Sequence, residues 1–348
     1  MHRIIHLSPD QRRIMFEDAS AKLGILNSLI EKDFWVCWVL SRIFGDQRLR
    51  RLLRFKGGTS LSKVFHLIER FSEDIDLILD WREVTQDDPM KERSNAQQDK
   101  FNKRMQEESA GYISTTLKEQ IASVFDGECH VRADAEDGHI IWIEYPHDDS
   151  DSYILPRVKL EIGPLAAWVP HHAFPVMPYV GEALPELGIQ AFDVPTILAE
   201  RTFWEKVTIL HQEHFRPEKL TVPSRFSRHY YDLFKMSSTA VCQNAMADTE
   251  LLRKVVDFKR KFYPRAWARY DLAHLGDIRL MPPEHSMKPL ADDYTQMREM
   301  LYGVRPAWQE ILAGLQKLEE TINNNGNHCC PVKTLEAQGE SSENHGKN

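Results

Sequence analysis

Two aspartates, Asp74 and Asp76, stand two residues apart in the run Arg70-Phe71-Ser72-Glu73-Asp74-Ile75-Asp76-Leu77. The acids alternate with Ile75, Leu77 and Leu79, which predicts a strand over 74–79 with both carboxylates on one face. Like charges this close are costly unless one is protonated or a cation sits between them. Hard divalent ions such as Mg²⁺ take oxygen ligands, commonly one or two carboxylates plus the phosphates of a substrate. Just upstream, Phe55-Lys56-Gly57-Gly58-Thr59-Ser60-Leu61-Ser62-Lys63 reads as strand end, glycine turn and helix. Backbone N–H groups at such a turn can approach an anion. A phosphate cradle beside metal-binding acids implies phosphoryl or nucleotidyl transfer. An Asp-x-Asp pair alone can equally face solvent on an edge strand, but a Gly-Gly pair one helix before it is a sharper signal.

The elements that must hold these groups follow from apolar spacing. Residues 52–55 form a short apolar strand, and Ser60 is placed to start a helix with Leu61, Val64, Phe65 and Ile68 on its apolar face. Ser8-Pro9 caps a helix over 10–23, and 26–44 predicts a second one. Residues 80–98 read as a charged loop and 99–125 as a long helix broken at Gly111. Three strands are expected over 129–133, 139–145 and 154–162, the middle one following the hairpin signal Asp137-Gly138. In the last, Val158, Leu160 and Ile162 alternate with Arg157, Lys159 and Glu161, so Glu161 lies on a polar face. A third carboxylate on a neighbouring strand is what a two-metal transfer site requires; alternating strands also expose a glutamate for no catalytic reason. Residues 163–187, rich in proline and histidine and including His171-His172, read as a structured loop. A helix is expected from Val194 to about His214, and 236–318 is helical by pattern, with Pro282-Pro283 as a breaker.

Gly57-Gly58-Thr59 followed by Asp74-Ile75-Asp76 resembles the first motif of the DNA polymerase β-like nucleotidyltransferases. The fuller strings, Lys-Gly-Gly-Thr-Ser-Leu-Ser-Lys ending at Lys63 and Arg-Phe-Ser-Glu-Asp-Ile-Asp-Leu from Arg70, are similar to those of the AbiEii/AbiGii toxin family. Ala199-Glu200-Arg201 and Glu205-Lys206 resemble that family's second motif, where a lysine contacts the incoming nucleotide. Either Arg201 or Lys206 fills that place; Phe203-Trp204-Glu205-Lys206 favours Lys206. Arg228-His229-Tyr230-Tyr231-Asp232-Leu233 is similar to a later motif, with His229 where an acid usually stands and Asp232 kept. Asp232 can serve the site, or pair with an arginine that locks its helix to the core.

The resemblance implies an α+β fold: a polymerase β-like nucleotidyltransferase core, a small mixed sheet with flanking helices, followed by a C-terminal helical region. The expected division is 1–235 for the transferase domain with a helical insertion near 85–125, 236–320 for the helical domain, and 321–348 as a disordered tail. It further implies an enzyme that moves a nucleoside monophosphate from an NTP to RNA, with a tRNA 3′ end leading, as the toxin of a toxin–antitoxin or phage-defence system with a neighbouring antitoxin. Asp74, Asp76 and Glu161 would hold Mg²⁺ or Mn²⁺. Gly57, Gly58, Thr59, Ser60 and Lys63, with Arg201, would bind the triphosphate, and Lys206 and Asp232 would complete the catalytic set. Alternatives are a protein hydroxyl as acceptor, or a nucleotide- or RNA-binding module without catalysis.

The net charge of −8 argues against a chain that coats nucleic acid by bulk charge. Local basic stretches remain at 47–54 and at 253–270, where Lys259, Arg260, Lys261 and Arg265 alternate with Phe258, Phe262, Tyr263 and Trp267. That pattern suits phosphate contact and base stacking, or a solvated basic face over an aromatic core. Five cysteines without a Cys-x-x-Cys pair, no apolar run of about eighteen residues and no signal-peptide core lead to the expectation of a cytoplasmic chain without membrane contact.

Overall fold

The computed structural model describes residues 1–72, 74–146, 155–164 and 169–327. After a short α1 (His2–Ile5), α2 (Pro9–Leu23) starts on a capping box. The Ser8 side chain accepts from the Gln11 amide at 3.3 Å, and the Gln11 side chain accepts from the Ser8 amide at 3.0 Å. The helix ends on Gly24, whose φ of +67° only glycine adopts without strain. In α3 (Asn27–Gly45), Leu29, Ile30, Phe34, Trp35, Trp38 and Ile43 are buried. Two charged residues of α3 are buried as well, and each has a partner. Lys32 donates to the carbonyls of Leu155 and Arg157 at 2.9 and 2.5 Å. Asp33 pairs with Lys63 at 2.9 Å.

Next come α4 (Gln47–Leu52), β1 (Leu53–Lys56), α5 (Gly57–Lys63) and β2 (Asp74–Leu79). The helix begins at Gly57, three residues before the expected Ser60, because Gly57 itself makes the bend at φ +83°. Then follow α6 (Asn95–Tyr112), a wide-turn segment Ile113–Leu117, α7 (Lys118–Ser123), β3 (His130–Ala133), β4 (Ile140–Glu144) and β5 (Arg157–Gly163). The predicted loop of 163–187 contains β6 (His171–Val176) and α8 (Tyr179–Ala183). The predicted start of the next helix is a strand, β7 (Phe192–Ile197), and α9 (Ala199–His214) begins only after it. Pro195 had suggested a first helical turn, but the branched residues Val194, Thr196 and Ile197 pair with β6 and touch β1 at Phe55. The chain ends with α10 (Arg228–Ser237), α11 (Ala240–Ala247), α12 (Thr249–Phe262), α13 (Glu284–Gln296) and α14 (Trp308–Asn327). Residues 321–327, expected in the tail, continue α14; the rest of that expected tail, with Cys329 and Cys330, lies outside the described residues.

One mixed sheet of seven strands results, in the order β3-β4-β5-β2-β1-β7-β6. Its two faces differ. Phe55, Ile75, Leu77, Ile141, Ile143, Val158, Leu160 and Ile162 point into an apolar core with α2 and α3. Lys56, Asp74, Asp76, Lys159 and Glu161 alternate with them on the opposite face. A second core joins Phe203, Trp204 and Leu210 of α9 and Tyr230, Tyr231 and Leu233 of α10 to Leu252, Leu290, Ile311 and Leu315 of the later helices. The α5 helix is held by both: Leu61 belongs to the second core, while Phe55 and Phe71 on either side belong to the first. A third cluster, Phe101 and Met105 of α6 against Phe262 of α12, fastens the insertion to the C-terminal helices. Among the described residues no helix is long and apolar enough to cross a membrane, and Cys37, Cys129 and Cys242 are free thiols.

Candidate active site

Strand register decides which charged groups meet. β2 runs parallel to β5 with Asp76 opposite Glu161 and Asp74 opposite Lys159, and antiparallel to β1 with Asp76 opposite Lys56. The three acids therefore share one face on two adjacent strands. A methyl group on Gly57 would lie 1.9 Å from Asp76 Oδ2, so the Asp76 carboxylate rests against the glycine bend. Burial pushes Asp76 up to about 6, with Glu161 and Asp74 adding to the rise and Lys56 opposing it. Glu161 forms an ion pair with Lys159. The acids are not drawn tightly together: among the described residues, the group of three ligating side chains whose atoms all lie within 4.8 Å is His2, His6 and Glu128.

This donor set fits a hard divalent cation. Three carboxylates share a face, and burial together with its acidic neighbours raises one of them, Asp76; a cation would relieve that repulsion.

The bend itself is fixed from within. Thr59 donates its hydroxyl to the carbonyl of Asp74, and Ser60 donates to the carbonyl of Gly57 at 2.8 Å. Both hydroxyls expected at the phosphates donate to backbone, Thr59 tying α5 to β2 and Ser60 closing the first turn of α5 itself. A methyl group on Gly58 would meet Arg70 Nη2 at 2.5 Å, so the second glycine makes room for a guanidinium. Lys63, also expected at the phosphates, is turned the other way. It pairs with Asp33 inside the core, its ammonium 3.4 Å from the centre of the Tyr179 ring. Both members of that pair are almost fully buried, so Lys63 anchors the bend to α3.

On the helical side, Asp232 is fully buried and bound twice by Arg70, Nε to Oδ1 at 2.6 Å and Nη2 to Oδ2 at 2.9 Å. Lys206 donates to the same carboxylate at 2.7 Å and lies 3.0 Å from His229 Nδ1. Burial alone would raise Asp232, yet Arg70 and Lys206 hold it well below the ordinary carboxylate value. Burial, reinforced by Lys206 and Arg228, keeps His229 neutral, so its Nδ1 accepts from the lysine. Asp232 therefore does what an arginine-paired structural acid does, and it also orients Lys206.

Arg201 donates to Glu205 at 3.1 Å and to the carbonyl of Val169 at 3.3 Å. Lys259 of α12 donates to the Glu205 carbonyl at 3.2 Å, and burial drags it down to about 7 against the pull of the Glu205 carboxylate. The sequence reading placed Arg201 and Lys206 near the site but missed Arg70, Lys56 and Lys259 as members of it. Lys56 and Arg70 stand inside the motif strings themselves. Lys259 was visible only as one cation in a basic-aromatic stretch.

The chain matches the family described as nucleotidyl transferase AbiEii toxin, type IV toxin–antitoxin system, over residues 38–314. Among solved structures it is similar to MenT4, a nucleotidyltransferase toxin from Mycobacterium tuberculosis H37Rv. That alignment has 16% sequence identity and a TM-score of 0.38, and covers 90% of this chain and 96% of the other. No curated protein matches.

Proposed function

The chain belongs to the AbiEii family of nucleotidyl transferase toxins of type IV toxin–antitoxin systems, and on that footing we propose that it transfers a nucleoside monophosphate from an NTP to an RNA acceptor, a tRNA 3′ end, on the charged face of its sheet. Asp74, Asp76 and Glu161 would hold Mg²⁺ or Mn²⁺. When bound, such an ion neutralises charge on the triphosphate and on the oxygens that attack and leave. The chain's own part is positioning and charge. Gly57 lets the bend lie against the Asp76 carboxylate and Gly58 makes room for the Arg70 guanidinium, so the bend is held beside the acids. Lys206, oriented by Asp232, and Arg201 offset negative charge as it develops.

The acceptor hydroxyl attacks the α-phosphorus in line. One oxygen–phosphorus bond forms, the bond to the β-phosphate bridging oxygen breaks, and pyrophosphate departs. The hydroxyl proton passes to a carboxylate oxygen of one of the acids on that face.

The supporting observation is the in-register pairing of Asp76 with Glu161 beside Gly57. The family is that of a toxin–antitoxin system, so an antitoxin partner is expected. The test offers each of the four α-labelled NTPs, with Mg²⁺, to cell lysate. Label entering tRNA and lost in Asp76→Ala supports the reading. Label entering protein moves the acceptor to a protein hydroxyl. Label entering neither, with no nucleotide binding by calorimetry, refutes transfer.

A further inference from the structure

Away from the acids, three side chains with no part in the transfer chemistry meet at the outer edge of the sheet. His2 and His6 stand four residues apart, at the start and just past the end of α1, and so share one side of a single helical turn. Their ring centres are 4.6 Å apart, edge to face. Glu128 reaches them from the bend between α7 and β3, where Asp126 and Gly127 both turn the backbone at positive φ. Its Oε1 lies 3.5 Å from His2 Nδ1 and 3.5 Å from His6 Nε2, and the three ligating atoms are all within 4.8 Å of one another.

Those separations are long for hydrogen bonds, which close at roughly 2.7–3.2 Å. They suit ligands that share an ion. With zinc bonds of about 2.0–2.2 Å and tetrahedral angles, neighbouring ligand atoms stand about 3.4 Å apart. The Glu128 side chain retains only 17% of its exposure, and its Oε2 is buried with no hydrogen-bond partner. The cation nearest that oxygen is Arg42 at 3.9 Å, whose guanidinium donates to Asp126 at 2.8 Å instead. A carboxylate so short of donors is uncommon in a folded chain. Two imidazole nitrogens and a carboxylate oxygen are a donor set that zinc takes, whereas Mg²⁺ prefers oxygen alone. Cys129, next along the chain, packs against the core and stays out of the group.

We propose that His2, His6 and Glu128 bind one Zn²⁺, with water as the fourth ligand, and that the ion fastens α1 to the bend before β3. The histidines are 71% and 58% exposed, so solvent reaches the fourth position. The ion's role is structural. Ile4 of α1 belongs to the first core, on the sheet face away from the acids. β3 is three strand spacings from β2, about 14 Å. The proposal is therefore independent of the transferase reading.

The test titrates Zn²⁺ into the full chain, free of any added histidine tag, against a chromophoric chelator. Excess Mg²⁺ is present to occupy the acids. Wild type should take one Zn²⁺ per chain with micromolar affinity or better. His6→Ala and Glu128→Gln should each weaken it at least about tenfold, the least that losing a ligand's supporting group costs. Co²⁺ in place of zinc should give the visible bands of a four-coordinate ion, and both variants should lack them. Zn²⁺ should raise the melting temperature of wild type, reversibly with EDTA, and leave that of the variants unmoved. Melting without metal verifies that the variants fold. Equal affinity in Glu128→Gln would mean that the exposed histidine pair acts alone, and the built site is overturned. Full uptake by His6→Ala places the ion elsewhere and overturns it too, as does wild-type uptake only at millimolar Zn²⁺.

Discussion

Replacing Asp76 with asparagine is expected to stabilise the metal-free protein while ending its chemistry. The carboxyl is pushed from an ordinary 3.8 to about 6, by burial first and then by Glu161 and Asp74. That is roughly two pH units, and at about 1.4 kcal/mol per unit it corresponds to about 3 kcal/mol. Asp76 keeps partial exposure, so solvent screening reduces the figure to about 1–2 kcal/mol. Proton counting gives the sign. Between about pH 4 and 6 the folded chain retains a proton that the unfolded chain has released, so stability falls as pH rises through that window. Above it the penalty is fully present. Asparagine has no proton to lose and is free of the penalty at every pH. Urea unfolding in EDTA should therefore show Asp76→Asn gaining about 1–2 kcal/mol on wild type near pH 7, the gain shrinking as pH falls toward 4.5. Adding Mg²⁺ at neutral pH should reverse the order, since the ion stabilises a state only where it binds. A variant that gains nothing on wild type across that pH interval, or that Mg²⁺ stabilises as much as wild type, would refute the view of Asp76 as a strained acid awaiting a cation.

Three other outcomes follow from single contacts. Gly57→Ala places a methyl group 1.9 Å from Asp76 Oδ2 at a φ of +83°; nucleotide transfer should drop about a hundredfold, and melting should show a loss of about 1–3 kcal/mol. Asp232→Asn leaves Arg70 and Lys206 buried without their shared carboxylate, so urea unfolding should register about 3–5 kcal/mol of destabilisation, and a loss below about 1 kcal/mol would show the network to be incidental. For the core pair, Lys63→Met or Asp33→Leu alone should each cost about 3–5 kcal/mol, and the double variant clearly less than their sum. Its KM for NTP should remain within about threefold of wild type; a tenfold rise would return Lys63 to the phosphates.

The acids were legible because a strand's period is two and register does the rest. Ile75, Leu77, Leu160 and Ile162 had to face one core, and that forced Asp76 and Glu161 onto the other side together. Contacts across long sequence intervals were not legible. Nothing near Lys63 announces that its partner is Asp33, thirty residues earlier. The available hint was in the earlier helix, where Lys32 and Asp33 interrupt an apolar run and so had to be paired once buried. Lys259 posed the same problem in reverse. Its stretch read as basic and aromatic, and only the docking of α12 on α9 revealed which cation turns inward. Residues 194–197 misled because proline suits both a first helical turn and a strand with an unused amide, and pairing with β6 decided between them.

A helix of seven residues carries the glycine bend, and its flanks are embedded in two separate apolar masses, Phe55 and Phe71 in one and Leu61 in the other. Torsion between those masses would load this short splint, along with the β7–α9 junction. A protein that gripped the C-terminal helices and rotated them slightly against the sheet would tilt Gly57 away from Asp76 from a distance, disarming the cleft without ever entering it.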